Sequence, residues 1–367
     1  MRGISRLAHE LGLSTGTVSR ALNDKPGVNG QTRQLVLEAA QRIGYQPNQA
    51  ARTLASGRTG AIGFMFEVYP EVAVIGDNFY LGVIDGVQST LASHGLDLLV
   101  LPCPGRQPRL AYLDRWVARG LVDGMILSNT DRVDPHIDLL QSAGIPFVTL
   151  GRSEASKEFA WVDLDFEHVA KTAVDRLVAG GHRRIAVTVP FGELNHGYVF
   201  LEAYREALKK HGIAFDPDLV FRTGLGVEDG YLIADELLGG PDPATAILLI
   251  YETAAVGIYR RLAERGLRPG ADLAVIGLRD EAVIRYMTPS LTCFELSLFE
   301  TGATLAEAIL AQLAPRAKDD GLRLKQVKMA MHIRPGESDP PLEAARNKGP
   351  RRRQRSSALA TTTGASG

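Results

Sequence analysis

The stretch that decides the fold of the first sixty residues is Ser14-Thr15-Gly16-Thr17-Val18-Ser19-Arg20-Ala21-Leu22. Ser14 is typical of a helix N-cap, because its side-chain oxygen can accept a hydrogen bond from a free backbone N–H two or three residues on. Val18, Ala21 and Leu22 then form an apolar stripe with helical spacing. The other faces carry hydroxyls, a glycine and an arginine, which suit contacts with base edges and phosphates.

A first helix is predicted just upstream, from Ile4 to Glu10, and Gly12 breaks it. Helix, glycine turn and capped second helix form the helix-turn-helix pattern of DNA-binding proteins. Helix–glycine–helix units also occur in helical proteins that do not bind DNA, so this spacing leaves both interpretations open. A third helix is predicted from Gln31 to Ile43, and Gly44 ends it. Its apolar side is predicted to carry Leu35, Val36, Ala39, Ala40 and Ile43.

The composition is that of a soluble globular protein, with 45% hydrophobic and 23% charged residues in a chain of 367. No apolar run approaches the roughly 20 residues that span a membrane, and residues 1–6 lead into an amphipathic helix instead of an apolar signal core. Cys103 and Cys293 are the only cysteines. They cannot form a disulfide framework, so we expect buried free thiols and a cytoplasmic protein.

The net charge of −1 hides an asymmetry along the chain. Residues 1–60 hold eight Lys/Arg and three Asp/Glu, a net charge of +5, and residues 336–367 hold six and three, a net charge of +3. The segment between them therefore carries −9. A basic head on an acidic body is expected of a nucleic-acid-binding module joined to a domain that does not bind nucleic acid.

A short segment links the head to the body. Asn48 is a candidate N-cap and Gly57 a candidate stop, which leaves barely two helical turns. Helices this short are unstable alone, so the segment is either a linker or a helix that forms only when docked. Leu54 has no obvious core of its own in the head, and it either packs on the body or contacts a partner.

From Ala61 onward, short apolar runs alternate with helical stretches. Buried parallel strands are predicted at 61–66, 96–101, 124–128 and 146–150, and a second series at 185–189, 219–221, 246–250 and 273–277. Two α/β series in tandem predict two similar lobes, each with a parallel sheet, and a cleft between them.

The head and linker resemble those of the lactose/galactose-repressor (LacI/GalR) family of bacterial transcription regulators. The resemblance rests on Leu13-Ser14, Thr17 to Asn23, Val28, Thr32-Arg33, Val36, Ala39-Ala40, Gly44 to Asn48, Ala51-Arg52, Leu54, Thr59 and Ile62-Gly63. It extends more loosely to about Arg334, through 181–185 and 289–292, and the body also resembles periplasmic sugar-binding proteins.

The resemblance implies roles for residues of the head and hinge. Thr15, Gly16 and Arg20 occupy base-reading positions, and Thr17, Ser19 and Asn23 occupy positions that contact phosphates and bases. The remaining candidate DNA contacts are the cap Ser14 and, in the hinge, Asn48, Ala51 and Leu54. Leu54 sits where such regulators wedge a side chain into the minor groove, which unstacks a base step. Gly16 departs from the family, since many members carry a longer polar side chain there.

The ligand of an open α/β sheet lies beyond the carboxyl ends of its strands, and the resemblance selects the same loops. The candidate effector-binding residues there are Phe79, Ser128, Arg152, Asn195, Tyr198, Tyr251 and Arg279. Phe200 stands where many members have an effector-clamping arginine, so Asn195, His196 or Tyr198 is expected to replace it. Tyr251-Glu252 and Arg279-Asp280 also depart from the family's Asn-Asp and Asp-Asp pairs.

Two arginines in one cleft suggest an acidic effector, such as a sugar acid or a phosphorylated sugar, because guanidinium groups match carboxylate and phosphate. The alternative is that Arg279 points outward or pairs with Glu281 or Asp280.

The sequence therefore predicts an all-α helix-turn-helix head (residues 1–46), a hinge helix (47–60), a two-lobed α/β periplasmic-binding-protein-like body (61–335) and a disordered tail (336–367). The first lobe is assigned residues 61–161 plus 291–324, and the second 162–290 plus 325–335. We expect a homodimeric regulator, most simply a repressor, of a palindromic double-stranded DNA operator, controlled by a small sugar-like effector. No cofactor and no membrane partner is expected.

The alternatives are a solute-binding protein and a sugar-modifying enzyme with the same two-lobed body. The sequence contains no G-x-S-x-G, P-loop, G-x-G-x-x-G or H-E-x-x-H motif, and its histidines lack metal-ligand spacing. We therefore predict neither catalytic nor metal-binding residues.

Overall fold

The computed structural model describes residues 3–22, 24–45, 58–68, 78–105, 107–154, 158–239, 241–314 and 324–343. Asn23, the hinge residues Asn48, Ala51 and Leu54, and the tail from residue 344 lie outside the described residues. The predicted disordered tail began at residue 336, but residues 336–343 pack on the second lobe, where Ser338 and Asp339 are buried and Asp339 pairs with Arg176.

The head is a bundle of three helices, α1 (Ile4–Leu11), α2 (Thr15–Leu22) and α3 (Gly30–Arg42). Gly12 ends α1 in the left-handed region at φ 62°, a conformation that glycine adopts without steric cost. Asn29 caps α3 by accepting the Thr32 N–H at 2.7 Å. Leu7, Ala8, Val18, Ala21, Val36, Ala39 and Ala40 form its buried core. Leu35, which the sequence placed on the apolar side of α3, is instead 50% exposed.

The first lobe contains a six-stranded sheet in the order β11-β5-β4-β3-β1-β2. Its strands are β1 (Ala61–Val68), β2 (Asp97–Pro104), β3 (Gly124–Ser128), β4 (Phe147–Leu150), β5 (Ala160–Leu164) and β11 (Gln326–Met329). The helices α4 (Phe79–Ser93), α5 (Arg109–Arg119), α6 (Pro135–Ala143) and α11 (Leu298–Leu313) accompany it. All pairings in this sheet are parallel.

The second sheet has the order β12-β10-β9-β8-β6-β7. Its strands are β6 (Ile185–Pro190), β7 (Val220–Thr223), β8 (Ala246–Leu248), β9 (Ala274–Arg279), β10 (Thr292–Glu295) and β12 (His332–Arg334). The second-lobe helices are α7 (Phe166–Ala179), α8 (Asn195–Lys210), α9 (Val227–Gly239) and α10 (Ala254–Glu264), with short 3₁₀ turns at Pro217–Leu219 and Ile284–Tyr286. Only β10 and β12 pair antiparallel among the described strands of this sheet.

The strands correct the predicted lobe boundaries. The boundary between residues 161 and 162 cuts β5, which lies entirely in the first sheet. Residues 291–324 were assigned to the first lobe, but β10 belongs to the second sheet and only α11 returns to the first lobe. Residues 325–335 divide in the same way, with β11 in the first sheet and β12 in the second. The chain therefore passes between the lobes near residues 165, 296 and 330.

The segment that leads to the head is fixed to the amino end of the first sheet. The Asp123 carboxylate accepts the Thr59 N–H at 2.7 Å, the Thr59 hydroxyl at 3.0 Å and the Gly60 N–H at 2.8 Å. Arg58 donates to the Leu313 carbonyl at 3.2 Å, at the end of α11. Residues 58–60 must therefore move together with the first lobe.

Close approach of α4 and α11 holds the first lobe together, and glycine makes it possible. A Cβ on Gly86 would lie 2.0 Å from the Phe299 carbonyl oxygen, and one on Gly302 would lie 2.0 Å from the Val83 carbonyl oxygen. Neither distance is sterically allowed, so each helix needs a glycine where it faces the other.

We predict that Gly86→Ala destabilises the protein by roughly 1–3 kcal/mol, because the two helices must separate to admit a methyl group. Urea unfolding of the full chain measures this change. Gly239→Ala is the matched control, since a Cβ there has nothing within 4 Å. Equal stability of the two variants would contradict the close-packing argument.

Candidate functional site

The helix α2 presents a polar face to solvent. The Ser14 side-chain oxygen accepts the Thr17 N–H at 3.0 Å, so the predicted cap is present. Val18 and Ala21 are buried against the other head helices, and this burial turns Thr15, Gly16 and Arg20 outward, where all three are exposed. Thr17 and Ser19 are partly buried at the edges of this face.

Gly16 leaves open space on that face. A Cβ there would meet only the Ser14 hydroxyl oxygen at 3.7 Å and Arg20 Nη2 at 3.8 Å. Packing therefore does not require glycine at this position. Arg20, one helical turn later, is the long, exposed side chain of this face.

Ion pairs fix the other helices of the head. Arg33 of α3 pairs with Asp24 at 2.8 Å and donates to the Lys25 carbonyl at 3.0 Å, which ties α3 to the loop after α2. Arg42 pairs with Glu10 of α1 at 2.7 Å. The two ion pairs tie α3 to the loop after α2 and to α1.

The carboxyl edges of the two sheets face each other across the cleft between the lobes. Phe79, Ser128 and Arg152 come from the first lobe, and Asn195, Tyr251 and Arg279 from the second. The Arg279 guanidinium lies over the Phe79 ring, 4.9 Å from its centroid. The Asn195 amide donates to the Arg152 carbonyl at 2.8 Å. The structure thus brings these predicted residues together.

Arg279 is held by two carboxylates. Its Nη2 lies 2.7 Å from Glu252 and 2.7 Å from Glu281, and the three side chains are 12%, 3% and 10% exposed. The Arg279 backbone N–H also donates to Glu252 Oε2 at 3.2 Å. The neighbouring Asp280 accepts hydrogen bonds from Arg285 and forms a longer ion pair with Arg334.

Arg152 is also held by two carboxylates. Its Nε donates to Asp163 at 2.7 Å, and its two terminal nitrogens donate to Glu167 at 2.8 and 2.9 Å. Burial opposes ionisation of Glu167, but hydrogen bonds from Arg152 and Lys328 prevail and lower its pKa to about 2. Burial raises the pKa of Asp163 to about 6 against the pull of Arg152.

These pairings remove the argument for an acidic effector. Arg279 pairs with carboxylates of the chain, as the alternative interpretation predicted. Its partners are Glu281, which was predicted, and Glu252, which was not. Asp280, the other predicted partner, pairs with Arg285 instead. Carboxylates of the chain already balance the positive charge of both cleft arginines.

Aromatic side chains line the second-lobe wall. His196 stacks on Phe166 with ring centroids 5.2 Å apart, and its Nε2 lies 3.1 Å from the Tyr251 hydroxyl. Burial lowers the pKa of His196 to about 4 and raises the pKa of Tyr251. Phe200 is fully buried in the lobe core, whereas two of the expected replacements for a clamping arginine reach the cleft: His196 lies on this wall and Asn195 bonds to Arg152.

Tyr80 and Asn129 belong to the cleft but were absent from the predicted site residues. The Tyr80 hydroxyl donates to Asn129 Oδ1 at 2.8 Å and lies 3.2 Å from the Ser128 hydroxyl. Asn129 adopts φ 55°, a conformation uncommon outside glycine that often marks functional sites. In the sequence, the one indication that Tyr80 and Asn129 belong to the cleft is their place in loops that follow predicted strands.

Tyr198 lies at the rim of the cleft, where the lobes touch. Its hydroxyl donates to the Glu193 carboxylate, and the Arg132 guanidinium lies 4.8 Å from the centre of its ring. Backbone hydrogen bonds join the same two loops, from Arg132 N to Glu193 O at 2.8 Å and from Asn195 N to Thr130 O at 3.0 Å. Tyr198 is thus part of a lobe–lobe contact.

No group of three or more His, Cys, Asp or Glu among the described residues could hold a metal ion. None of the described helices is long and apolar enough to cross a membrane. Cys103 and Cys293 are buried free thiols, as predicted.

Comparison with known families gives two matches. Residues 4–48 match the lacI family of bacterial regulatory proteins, and residues 174–338 match the periplasmic binding protein-like domain. The HTH-type transcriptional regulator AglR of Rhizobium meliloti (strain 1021) is 32% identical over 314 residues, which cover 84% of this chain and 86% of AglR. The HTH-type transcriptional regulator RafR of Escherichia coli is 33% identical over 288 residues, 77% of this chain and 83% of RafR.

Solved structures share the fold. The transcriptional regulator CelR–cellobiose complex has a TM-score of 0.68 at 26% identity and covers 92% of this chain and 100% of that one. The lac repressor dimer bound to operator and the anti-inducer ONPF has a TM-score of 0.76 at 22% identity, with 91% and 98% covered.

The buried imidazole of His196 predicts a pH dependence of stability. Its pKa is lower in the folded state, about 4, than the ordinary 6.5, so the unfolded state binds more protons in that interval. Stability from this group is complete above about pH 6.5 and is lost as the pH falls towards 4, by up to about 3 kcal/mol.

Urea unfolding at several pH values measures this loss, and His196→Gln should make the decline between pH 6.5 and 4 shallower. His94→Gln, at an exposed histidine, is the matched control for the substitution itself. Parallel profiles for the wild type and His196→Gln would rule out this role for His196.

Proposed function

This chain is a member of the lacI family of bacterial regulatory proteins, and we propose that it acts in the cytoplasm as a repressor that binds a palindromic operator as a homodimer. It is a DNA-binding transcriptional regulator with a periplasmic-binding-protein-like body, and it is not an enzyme: its relatives are named as transcriptional regulators. In our proposal a small uncharged sugar in the cleft controls DNA binding.

The observation that carries the proposal is the exposed face of α2. A capped helix that buries Val18 and Ala21 and exposes Thr15, Gly16 and Arg20 is suited to enter the major groove. Thr17, Ser19 and Asn23 would contact the backbone and neighbouring bases. Ser14 would start the helix at the groove, and Asn48, Ala51 and Leu54 would contact the minor groove.

The cleft supports a sugar as the effector. Aromatic rings on both walls, such as Phe79 and Tyr251, suit the apolar faces of a pyranose, and Ser128, Asn129 and Asn195 offer groups that pair with hydroxyls. One structural neighbour is a complex with cellobiose. The sugar for this chain belongs to the same chemical class in our proposal.

Exposed apolar side chains support a homodimer. Leu81 on α4 is 64% exposed, Leu232 on α9 is 60% exposed and Tyr286 is 89% exposed. Both lobes therefore carry apolar area that a second copy would cover. Twofold symmetry of the dimer would impose twofold symmetry on the operator.

In the proposed mechanism the effector changes how the lobes meet at the cleft rim. Because residues 58–60 are bonded to the first lobe, a change in lobe orientation moves the start of the hinge in each protomer. Coupling between two such sites amounts to about 1–3 kcal/mol in regulators of this kind.

Selection of bound duplexes from a randomised pool tests the proposal, with the full-length protein at fixed moderate salt. We expect a palindrome with a flexible central step. Recovery of no consensus, with and without a panel of sugars, would contradict the proposed operator binding.

The exposed Arg20 gives a mutational prediction. Arg20→Ala should cost on the order of 1–3 kcal/mol in operator binding and relax specificity at one base pair in each half-site. Fluorescence anisotropy with operator variants and random duplexes measures both effects. Arg6→Ala, which removes one exposed charge from α1, should weaken binding to both DNAs slightly and alike. If Arg20→Ala instead lowered the affinity for all duplexes equally, Arg20 would contact a phosphate and not a base.

A further inference from the structure

Asn129, at the carboxyl end of β3, has a backbone conformation that its neighbours must hold. Its φ of 55° lies in the left-handed region, which costs free energy for a residue other than glycine. Tyr80 donates to the Asn129 side-chain oxygen at 2.8 Å, and Arg109 Nη2 donates to the Asn129 backbone carbonyl at 2.7 Å. The bond from Arg109 therefore fixes the peptide itself, next to the cleft.

Arg109 is the first residue of α5, and its side chain is 18% exposed. Besides the Asn129 carbonyl, its guanidinium lies 3.5 Å from Asp131 and 3.8 Å from Glu67, near the end of β1. A guanidinium offers several donors at fixed angles, which a lysine ammonium does not. One side chain thus ties the loop after β3 to the neighbouring strand at two positions of the loop.

The residues that follow Asn129 bond to the second lobe. The Thr130 carbonyl accepts the Asn195 N–H at 3.0 Å, and the Arg132 N–H donates to the Glu193 carbonyl at 2.8 Å. We call these two hydrogen bonds the rim contact. Because both are backbone bonds, their formation depends on the course of the chain immediately after Asn129.

We propose that Arg109 is a positioning residue that couples the cleft to the rim contact. The inference rests on the proposed function of the cleft as an effector site. By holding the Asn129 carbonyl, Arg109 keeps the Asn129 side chain beside Tyr80 and directs the Thr130 carbonyl towards the second lobe. A sugar that bonds to Asn129 then meets a backbone already arranged for the rim contact, so sugar binding and closure of the lobes favour one another.

Four variants separate this role from a general effect on stability. Arg109→Met removes the donors and keeps most of the length of the side chain, and Arg109→Lys keeps the charge. Asn129→Gly introduces a residue for which a φ of 55° has little cost, so Arg109→Met should have a smaller effect in the Asn129→Gly background. The matched control is Arg119→Met, at the exposed last residue of α5.

Hydrogen exchange of the full-length protein without added sugar, followed by mass spectrometry, measures the rim contact in peptides that contain Arg132 and Asn195. Arg109→Met should speed exchange there by about tenfold or more, because the loop loses a hydrogen bond to a charged group. Arg109→Lys should give a smaller increase and Arg119→Met none. Unchanged protection of β3, which pairs with β1 and β4, establishes that the first lobe is folded.

Calorimetric titration with glucose, galactose and cellobiose gives the second readout. A sugar that binds the wild type should bind Arg109→Met about tenfold more weakly, because the site is no longer preorganised. The same sugar should bind Arg119→Met as tightly as the wild type. If Arg109→Met does not fold, Arg109→Lys decides both measurements.

Two results would overturn the inference and leave the proposed function standing. One is unchanged exchange at the rim contact in Arg109→Met. The other is an equal effect of Arg109→Met in the wild-type and Asn129→Gly backgrounds, which would mean that Arg109 does not act through the Asn129 backbone. If none of the three sugars binds the wild type, the proposed sugar effector loses its support, and the exchange measurement still decides the role of Arg109 at the rim contact.

Discussion

The arrangement of side chains in the cleft depends on the neutralisation of two buried arginines. A guanidinium group keeps its proton at neutral pH, and a buried charge without a partner costs several kcal/mol. Arg152 is neutralised by Asp163 of β5 and Glu167 of α7. These two carboxylates lie on either side of the point where the chain first passes from one lobe to the other, so Arg152 joins the two sides. Arg279 is neutralised by Glu252 and Glu281 and lies over Phe79 of the opposite lobe. The positions of the loops around the cleft follow from these two sets of ion pairs.

The sequence predicted most of the sheets because parallel strands covered on both faces are continuous apolar runs. The first five residues of β1 are all buried, and its run was recognised. The strand β5 was not among the predicted strands because Asp163 interrupts its apolar run, and this buried carboxylate is paired with Arg152. The strand β11 alternates exposed and partly buried residues, and β12 spans only His332–Arg334. Their pairing with distant strands set the true lobe boundaries, and no local pattern encodes it.

The rule that a ligand lies beyond the carboxyl ends of the strands predicted the positions of the candidate residues better than it predicted their chemistry. It placed Phe79, Ser128, Arg152, Asn195 and Arg279 on facing edges, since parallel strands bring their carboxyl ends to one side. It could not pair Arg279 with Glu252, which is 27 positions away and follows another strand. The positive charge of Arg279 suggested an acidic ligand, but the carboxylates of Glu252 and Glu281, which lie beside it in the folded chain, neutralise that charge. The position of Tyr198 on the rim likewise depends on Arg132 of the other lobe.

The same sheet that supplies one wall of the cleft also holds the segment that leads to the head. Asp123 precedes β3 and accepts both backbone N–H groups of residues 59 and 60, while Ser128 and Asn129 at the other end of β3 contact Tyr80 in the cleft. Strands β1 and β3 are hydrogen-bonded to each other and buried, which favours movement of the first lobe as a rigid body. In the proposed mechanism, an effector that favours one orientation of the lobes would displace residues 58–60 through the Asp123 carboxylate, without a chain of side-chain rearrangements.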